Sequence, residues 1–200
     1  MPADALLDAD HEQLRASHDL ADARKAIETA EIDPDAERHR RAVLDFLDAH
    51  DDAFHRTCLE GHLTGSALVV DAGGERVVLL HHRKLRRWLQ PGGHCDGDAN
   101  LAAVALREAS EETGLAGLRV HPVAVDVDVH VVAPPAEGPH LHLDVRYLVV
   151  APAGAELVGN HESTAIRWAA VHDVDELDPD EGLRRLLRHG LARHRELRRR

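Results

Sequence analysis

Three glutamates, Glu108, Glu111 and Glu112, lie at helical spacing in the middle of the chain. Residues three and four apart share one face of an α-helix, so we expect these carboxylates to project together. Like charges side by side repel, and carboxylate oxygens suit a hard divalent cation such as Mg²⁺, which often bridges to substrate phosphates. The spacing therefore indicates a divalent-metal site for diphosphate chemistry. A solvated acidic helix face has the same spacing, so the pattern alone leaves that alternative open.

The sequence around the glutamates predicts the helix that must position them. We expect a compact helix from about residue 99 to residue 113, ending at Gly114, because glycine is common just after a helix C-terminus. Gly92 and Gly93 precede this helix, and glycine lets the backbone approach a ligand closely. The helix face opposite the glutamates is apolar and would pack on a sheet; it consists of Leu101, Ala102, Ala105, Leu106 and Ala109.

The stretch from Gly93 to Leu115 resembles the Nudix box, Gly-x5-Glu-x7-Arg-Glu-U-x-Glu-Glu-x-Gly-U, in which U is apolar. Gly93 occupies the first glycine of the motif, and residues 107–115 fit its second half. The flanking predicted strands extend the resemblance over about residues 64–178.

One position departs from the motif, since Ala99 stands where the box has its first glutamate. In the family that glutamate mainly braces the loop, often through the motif arginine. The resemblance therefore implies that Asp98 or Asp96 approaches Arg107 instead.

The resemblance implies an α+β fold, a Nudix-type mixed sheet sandwiched by helices, and a cofactor that is Mg²⁺ or Mn²⁺. The implied metal ligands are Glu108, Glu111, Glu112 and Gly92. The implied structural residues are Gly93, Arg107 and Asp98. The implied catalytic residues are Glu108, Glu111 and Glu162, and the general base is either Glu162 or a glutamate of the box.

A phosphate-bearing substrate would need basic or hydrogen-bonding groups near the metal. The densest basic cluster of the acidic body lies at residues 81–87, just before the glycine pair, although a charged hairpin end has the same composition. Polar residues alternate along 140–146 and should share one strand face. The candidate substrate-binding residues are Arg83, Lys84, Arg87, His94, His142 and Arg146. The 17 histidines show no zinc-ligand spacing, so we expect no structural zinc.

The chain divides into an N-terminal helical extension, residues 1–60, and a Nudix-like catalytic domain with a C-terminal helix, residues 61–200. Apolar spacing predicts helices over 5–30 and 34–56, too sparsely apolar to fold alone. They would pack on a second copy of the chain, giving a homodimer, or on the same chain's sheet. Further strands and helices are predicted at 66–70, 76–81, 118–132, 140–150, 166–169, 173–177 and 179–197.

Composition narrows the function classes. The formal net charge of -12 disfavours bulk nucleic-acid binding, and positive charge gathers in residues 183–200. Two cysteines form no disulfide framework and suit a reducing cytoplasm. We expect no signal peptide and no membrane span, because the sequence has neither a basic, apolar leader nor an apolar run of about 18 residues.

The resemblance to the Nudix family implies a divalent-metal-dependent pyrophosphohydrolase, and the residues are consistent with it. Such an enzyme would cleave a diphosphate bond in a nucleoside diphosphate linked to another group, with a nucleotide sugar as first candidate. The expected partner is a small phosphorylated molecule, with no nucleic acid and no membrane. The alternative is a Nudix-fold nucleotide-binding or regulatory protein with little hydrolytic activity, which Ala99 favours and residues 107–112 disfavour. An isoprenyl diphosphate isomerase of the same fold is less favoured, because its catalytic cysteine and glutamate cannot be placed in this sequence.

Overall fold

The computed structural model describes residues 5–83, 85–134, 138–158 and 163–199. The strands are β1 (Gly61–Val70), β2 (Arg76–His82), β3 (Trp88–Leu89), β4 (Gly92–His94), β5 (Arg119–Val120), β6 (Asp126–Val132), β7 (His140–Val150) and β8 (Ser163–Ala170). The α-helices are α1 (Leu20–Glu28), α2 (Glu37–Ala49), α3 (Leu101–Thr113) and α4 (Glu181–Arg198). Short 3₁₀ helices lie at Glu12–Leu14, Pro34–Ala36 and Val171–Leu177. Within the described ranges, no helix combines the length and the apolar character that crossing a bilayer requires.

The eight strands form one mixed sheet with β1 at its centre. β1 pairs in parallel with β7 and antiparallel with β2 and β4. β7 also pairs antiparallel with β5 and β6, and β8 pairs with β2. The β1–β7 register sets His62 opposite His142 and Ser66 opposite Arg146, across about 80 residues of sequence. The expected mixed sheet is confirmed.

Successive side chains of a strand point to opposite faces of the sheet, so both faces carry apolar residues. Helices cover both faces. On one face Leu63, Ala67 and Val69 of β1 join a buried core with α3. On the other face Leu68 and Val70 join a second core that includes residues of α4. The expected sandwich of a sheet between helices is thus confirmed.

The N-terminal segment differs from the helix predicted over 5–30, since α1 begins only at Leu20. Asp19 caps it by accepting a hydrogen bond from the Ala21 N–H. Upstream, Leu7 is buried and forms an antiparallel bridge with Val120 at the edge of the sheet. The prediction was wrong for 5–19 because Leu7 serves this edge pairing and Leu14 is buried at the end of a short 3₁₀ helix, so the two share no α-helix face.

The apolar stripes of α1 and α2 are covered within the same chain. Ala23 and Ile27 of α1 and Val43 and Leu47 of α2 are buried in the core that also holds α3 residues. Of the two packing alternatives for these helices, packing on the same chain is the one observed. The argument for subunit exchange, which required uncovered stripes, therefore loses its basis.

The predicted strand over 118–132 is divided into β5 and β6. Pro122 lies in the interruption, and proline has no N–H to donate to a sheet ladder. His121 N–H still bonds the Leu148 carbonyl oxygen at 2.8 Å, so the chain stays against β7 as it bends.

Candidate active site

Helix α3 carries the three glutamates, and its ends are well defined. Asn100 caps the N-terminus by accepting a hydrogen bond from the Ala103 N–H, and Gly114 ends the helix with a positive φ of 68°. The helix packs directly on β1, where a Cβ on Gly65 would lie 2.8 Å from Val104 Cγ1. This packing buries the apolar face and directs the glutamates away from it.

The glutamates meet strand β4 at the glycine pair. The Gly92 N–H donates to Glu112 Oε2 at 2.8 Å. A Cβ on Gly93 would lie 2.3 Å from Glu108 Oε2, and one on Gly92 would lie 2.1 Å from Ser66 Oγ. Gly92 therefore needs glycine, because the backbone of β1 approaches it too closely for a side chain, whereas at Gly93 the Glu108 carboxylate would have to move. The expected close approach of this backbone to a ligand stays a prediction.

Arg107 links the helix to β4, in keeping with a structural role. Its Nη1 lies 2.6 Å from Glu108 Oε1 and 3.9 Å from Glu111 Oε2. Its Nη2 donates to the His94 carbonyl oxygen at 3.1 Å. The guanidinium thus orients one box carboxylate and fixes the end of β4.

The expectation that Asp98 or Asp96 approaches Arg107 is corrected by the structure. Asp98 Oδ1 accepts hydrogen bonds from the Ser17 N–H at 3.0 Å and the Asn100 N–H at 2.9 Å. Asp96 accepts two hydrogen bonds from Arg56, at 2.6 and 2.8 Å, and this pairing lowers the pKa of Asp96. Both carboxylates are occupied by other donors.

The loop at Ala99 is braced instead by the N-terminal segment. The buried Ala99 donates its N–H to the Ser17 carbonyl oxygen at 2.7 Å. His18 Nδ1 lies 2.8 Å from the Gly97 carbonyl oxygen. Asn100 Nδ2 donates to the carbonyl oxygens of Gln13 and Arg15, at 2.8 and 2.9 Å. Backbone and side-chain bonds from residues 13–18 thus hold the loop that a glutamate braces in the motif.

The donor set of α3 fits a hard divalent cation. Three carboxylates come from one helix face, and Glu111 has 61% of its side chain exposed. Glu112 is oriented by the Gly92 N–H and Glu108 by Arg107. Carboxylates are ligands that Mg²⁺ takes together with retained waters, and the exposed Glu111 opens this set to solvent. Gly92 was also expected to be a metal ligand. Its N–H donates to Glu112, and metal binding by Gly92 stays a prediction.

Arg83, Arg86 and Arg87 lie between β2 and β3. Arg83 is exposed there, and Arg87 Nη1 lies 3.9 Å from Asp180 Oδ2 at the start of α4. Trp88, which follows the turn, has the Arg167 guanidinium 5.3 Å from its ring. Substrate binding by Arg83 and Arg87 stays a prediction. Lys84 and Glu162, the expected substrate ligand and general base, lie outside the described residues.

His94 and His142 are brought together, with ring centroids 5.1 Å apart. Burial lowers the pKa of His142 to about 3, and the neighbouring His94 and His130 add to the effect. His142 is therefore neutral at neutral pH and offers a phosphate no positive charge. His62 also joins these rings. No sequence pattern predicted this, because its proximity depends on the β1–β7 register.

Arg146 was expected to bind substrate, but the structure buries it in a network of ion pairs. Its guanidinium donates to Asp144, Asp126 and Asp128, at 2.6, 3.1 and 3.1 Å. Burial alone would lower the pKa of Arg146, but the three carboxylates outweigh it and raise the pKa. Arg185 of α4 joins the same network through Asp126 and Asp128. We correct the role of Arg146 to a structural one, because its donors face carboxylates.

Comparison with known proteins supports the family assignment. A model of the NUDIX domain matches residues 62–189. A Mycobacterium tuberculosis protein named as an 8-oxo-dGTP diphosphatase is 36% identical over 111 residues, which make up 52% of this chain and 49% of that protein. The chain therefore spans about half the length of the curated relatives it matches.

Two solved structures share the fold at low sequence identity. An Ap4A hydrolase of C. elegans, solved as a binary complex, gives a TM-score of 0.53 at 19% identity, covering 65% of this chain and 95% of that one. A Listeria monocytogenes protein named as a NUDIX hydrolase gives 0.54 at 13% identity, covering 67% and 94%. The domain model covers more than half of the chain and includes the whole glutamate helix, so this protein belongs to the Nudix family, as the spacing of its box predicted.

Proposed function

We propose that this protein is a divalent-metal-dependent pyrophosphohydrolase that cleaves a phosphoric anhydride bond in a nucleoside diphosphate linked to another group. The observation that carries the proposal is the seating of the box glutamates on β4. Glu112 accepts from the Gly92 N–H at 2.8 Å, and the Glu108 carboxylate occupies the place that a Cβ on Gly93 would take. Side chains held this way are preorganised for a cation.

Glu108, Glu111 and Glu112 would hold the metal, which we propose is Mg²⁺, with Mn²⁺ as a substitute. Nudix hydrolases generally use divalent metals. A bound divalent cation supplies charge neutralisation for the diphosphate and acidifies a water molecule. The chain's own contribution is to orient the carboxylates through Arg107 and Gly92.

The reaction transfers a phosphoryl group to water. The water oxygen forms a bond to phosphorus, the bridging P–O bond breaks, and the leaving phosphate keeps the bridging oxygen. A general base must accept the water proton, and it must reach the solvent side of the site. Glu111 is exposed enough to do so, and Glu162 is the other candidate.

The substrate class is narrowed by two lines of support. The net negative charge favours a small phosphorylated molecule over nucleic acid as the substrate. We also propose a cytoplasmic location, where free cysteines stay reduced and such substrates occur. A nucleotide sugar stays our first candidate. The name of the M. tuberculosis relative adds 8-oxo-dGTP, a nucleoside triphosphate, to the compounds to be tested.

A binding or regulatory protein with little hydrolysis is the alternative, and Ala99 is the residue that favours it. The brace from residues 13–18 weakens that argument, since Ser17 and Asn100 hold the loop without the missing glutamate. Loss of the motif residue therefore does not imply loss of the loop geometry.

A product-resolved hydrolysis screen tests the proposal. Nucleotide sugars, 8-oxo-dGTP, dinucleoside polyphosphates and ADP-ribose are incubated with Mg²⁺ or Mn²⁺ in ¹⁸O-labelled water, and mass spectrometry locates the label. We expect turnover of at least one compound, with kcat/KM reduced at least about 100-fold in Glu108→Gln. Glu176→Gln, an exposed glutamate on another element, is the matched control. Binding without turnover in the parent protein would support the alternative.

A further inference from the structure

Five histidines gather on one face of the sheet beside β4, and we call them the histidine cluster: His62, His94, His130, His140 and His142. They come from four strands. The pairings of β1, β7 and β6 align His62, His142 and His130 in one row across the sheet. His94 ends β4, where it pairs with Thr64, two residues along from His62.

Three members of the cluster have the geometry of a metal site. His62, His94 and His142 each offer one ring nitrogen, and these nitrogens all lie within 4.8 Å of one another. Their ring centroids are 4.8, 5.2 and 5.1 Å apart. In a tetrahedral zinc site with Zn–N bonds of about 2.1 Å, bound rings have centroids about 5 Å apart and nitrogens about 3.4 Å apart. Small rotations of the rings would bring the nitrogens to that spacing.

Backbone carbonyls orient two of the rings as metal-bound histidines are oriented. His62 Nδ1 lies 3.4 Å from the Cys58 carbonyl oxygen, and His140 Nδ1 lies 3.1 Å from the Gly138 carbonyl oxygen. When Nδ1 donates to a carbonyl, the lone pair for a metal is on Nε2. The Nε2 of His140 is buried and has no hydrogen-bond partner among the described residues.

The surroundings favour one class of cation. The donors are imidazole nitrogens, which suit Zn²⁺, Co²⁺ and Ni²⁺ better than Mg²⁺ or Ca²⁺. The nearest carboxylate along the strand, Asp144, is occupied by Thr64, Ser66 and Arg146, at 2.9, 2.7 and 2.6 Å. His62 is buried, whereas His94 and His142 are half-buried, which gives an ion access from solvent.

We propose that His62, His94 and His142 form a second metal site, which binds one borderline divalent transition-metal ion of the Zn²⁺ class. His140 lies within reach as a fourth ligand, its ring 4.8 Å from that of His62. The site shares β4 with the box glutamates, since Gly92 and Gly93 contact the carboxylates and His94 supplies an imidazole. The proposal does not rest on the proposed hydrolase activity, and the site uses none of the box carboxylates.

The test is metal binding by the full chain produced without a polyhistidine tag. The metal-free protein is titrated with Co²⁺, whose visible absorption reports four-coordination, and with Zn²⁺ in competition with a chromophoric chelator. We expect one Zn²⁺ per chain and a Zn²⁺-dependent rise in Tm. Glu108→Gln should keep this binding, whereas His142→Gln should weaken it at least about 10-fold.

Two further variants keep the test decisive. His94→Gln replaces a half-buried ligand and serves if His142→Gln does not fold, which circular dichroism will show. His172→Gln, an exposed histidine on another element, should bind like the parent. Zn²⁺ binding that is absent in the parent, unchanged in both ligand variants, or lost in Glu108→Gln would overturn the proposal.

Discussion

The molecule contains two sets of three carboxylates that differ in burial and counter-charge. Asp126, Asp128 and Asp144 are buried and share Arg146 and Arg185. The box glutamates lie on a helix face, and Arg107 is the arginine that contacts them among the described residues. We call these the buried trio and the box trio.

The difference shows that a buried carboxylate needs an arginine of the same chain beside it, whereas a carboxylate that solvent reaches does not. Burying a carboxylate costs several kcal/mol unless an opposite charge compensates it, so the buried trio must bring its own arginines. In the box trio Glu111 is exposed, whereas Glu108 and Glu112 are half-buried. Their desolvation is therefore incomplete, and a diffusible cation could reach them from solvent. For Asp128, the hydrogen bond from His130 and the charges of Arg146 and Arg185 outweigh burial and lower its pKa.

The largest expected effect comes from removing the counter-charge of the buried trio. Arg146→Met should destabilise the protein by about 3–5 kcal/mol, because it leaves buried carboxylates without their partner. Arg107→Met, the same change at the half-exposed box trio, should cost less than about 1 kcal/mol. Urea unfolding measures both, and equal losses would remove the distinction between the trios.

The next effect concerns activity rather than stability. Glu112→Gln keeps an oxygen that can accept from the Gly92 N–H but removes the charge. We expect kcat/KM to fall about 10- to 100-fold, with the urea midpoint close to that of the parent. Glu176→Gln should leave both values unchanged. A loss of stability without a loss of activity would make the box trio structural, like the buried one.

The brace of the box loop should give a smaller effect on both properties. Asn100→Ala removes the cap of α3 and the two bonds to Gln13 and Arg15. We expect a loss of about 1–2 kcal/mol in stability and a several-fold fall in kcat/KM. Asp33→Ala removes a cap far along the extension and should reduce stability alone. Full activity in Asn100→Ala would show that the box trio is positioned without the brace.

The smallest expected effect concerns His121, a buried imidazole that, among the described residues, is paired with a backbone group and not with a charge. Burial lowers the pKa of His121, against the hydrogen bond with Val123. The unfolded chain therefore binds more protons than the folded chain just below about pH 6.5, and stability falls as the pH drops through that range. In His121→Asn the loss of stability between pH 7 and pH 5 should be smaller by about 1 kcal/mol. Equal pH slopes of stability in the parent and in His121→Asn would contradict this effect of burial.

The parts of the site that depend on local spacing could be predicted from the sequence. The period of α3 and its stop at Gly114 follow from residues near one another in the chain. Strand β7 was predicted over its observed range, His140–Val150, because its polar and apolar residues alternate.

The parts that depend on distant pairings could not be predicted. His62 meets His142 only through the register of two strands that are far apart in the sequence. Asp98 was assigned to Arg107 because nothing in the sequence places Ser17 beside it. Arg146 has the charge of a phosphate ligand, and only the fold shows that three aspartates surround it.

The box trio is proposed to hold a divalent cation, and a Mn²⁺ titration measures that binding without depending on the identity of the substrate. Electron paramagnetic resonance measures free Mn²⁺ during titration of the parent, Glu108→Gln and Glu176→Gln. We predict that Glu108→Gln weakens Mn²⁺ binding at least about 10-fold, while Glu176→Gln binds like the parent. Equal Mn²⁺ affinity in the parent and in Glu108→Gln would contradict the account.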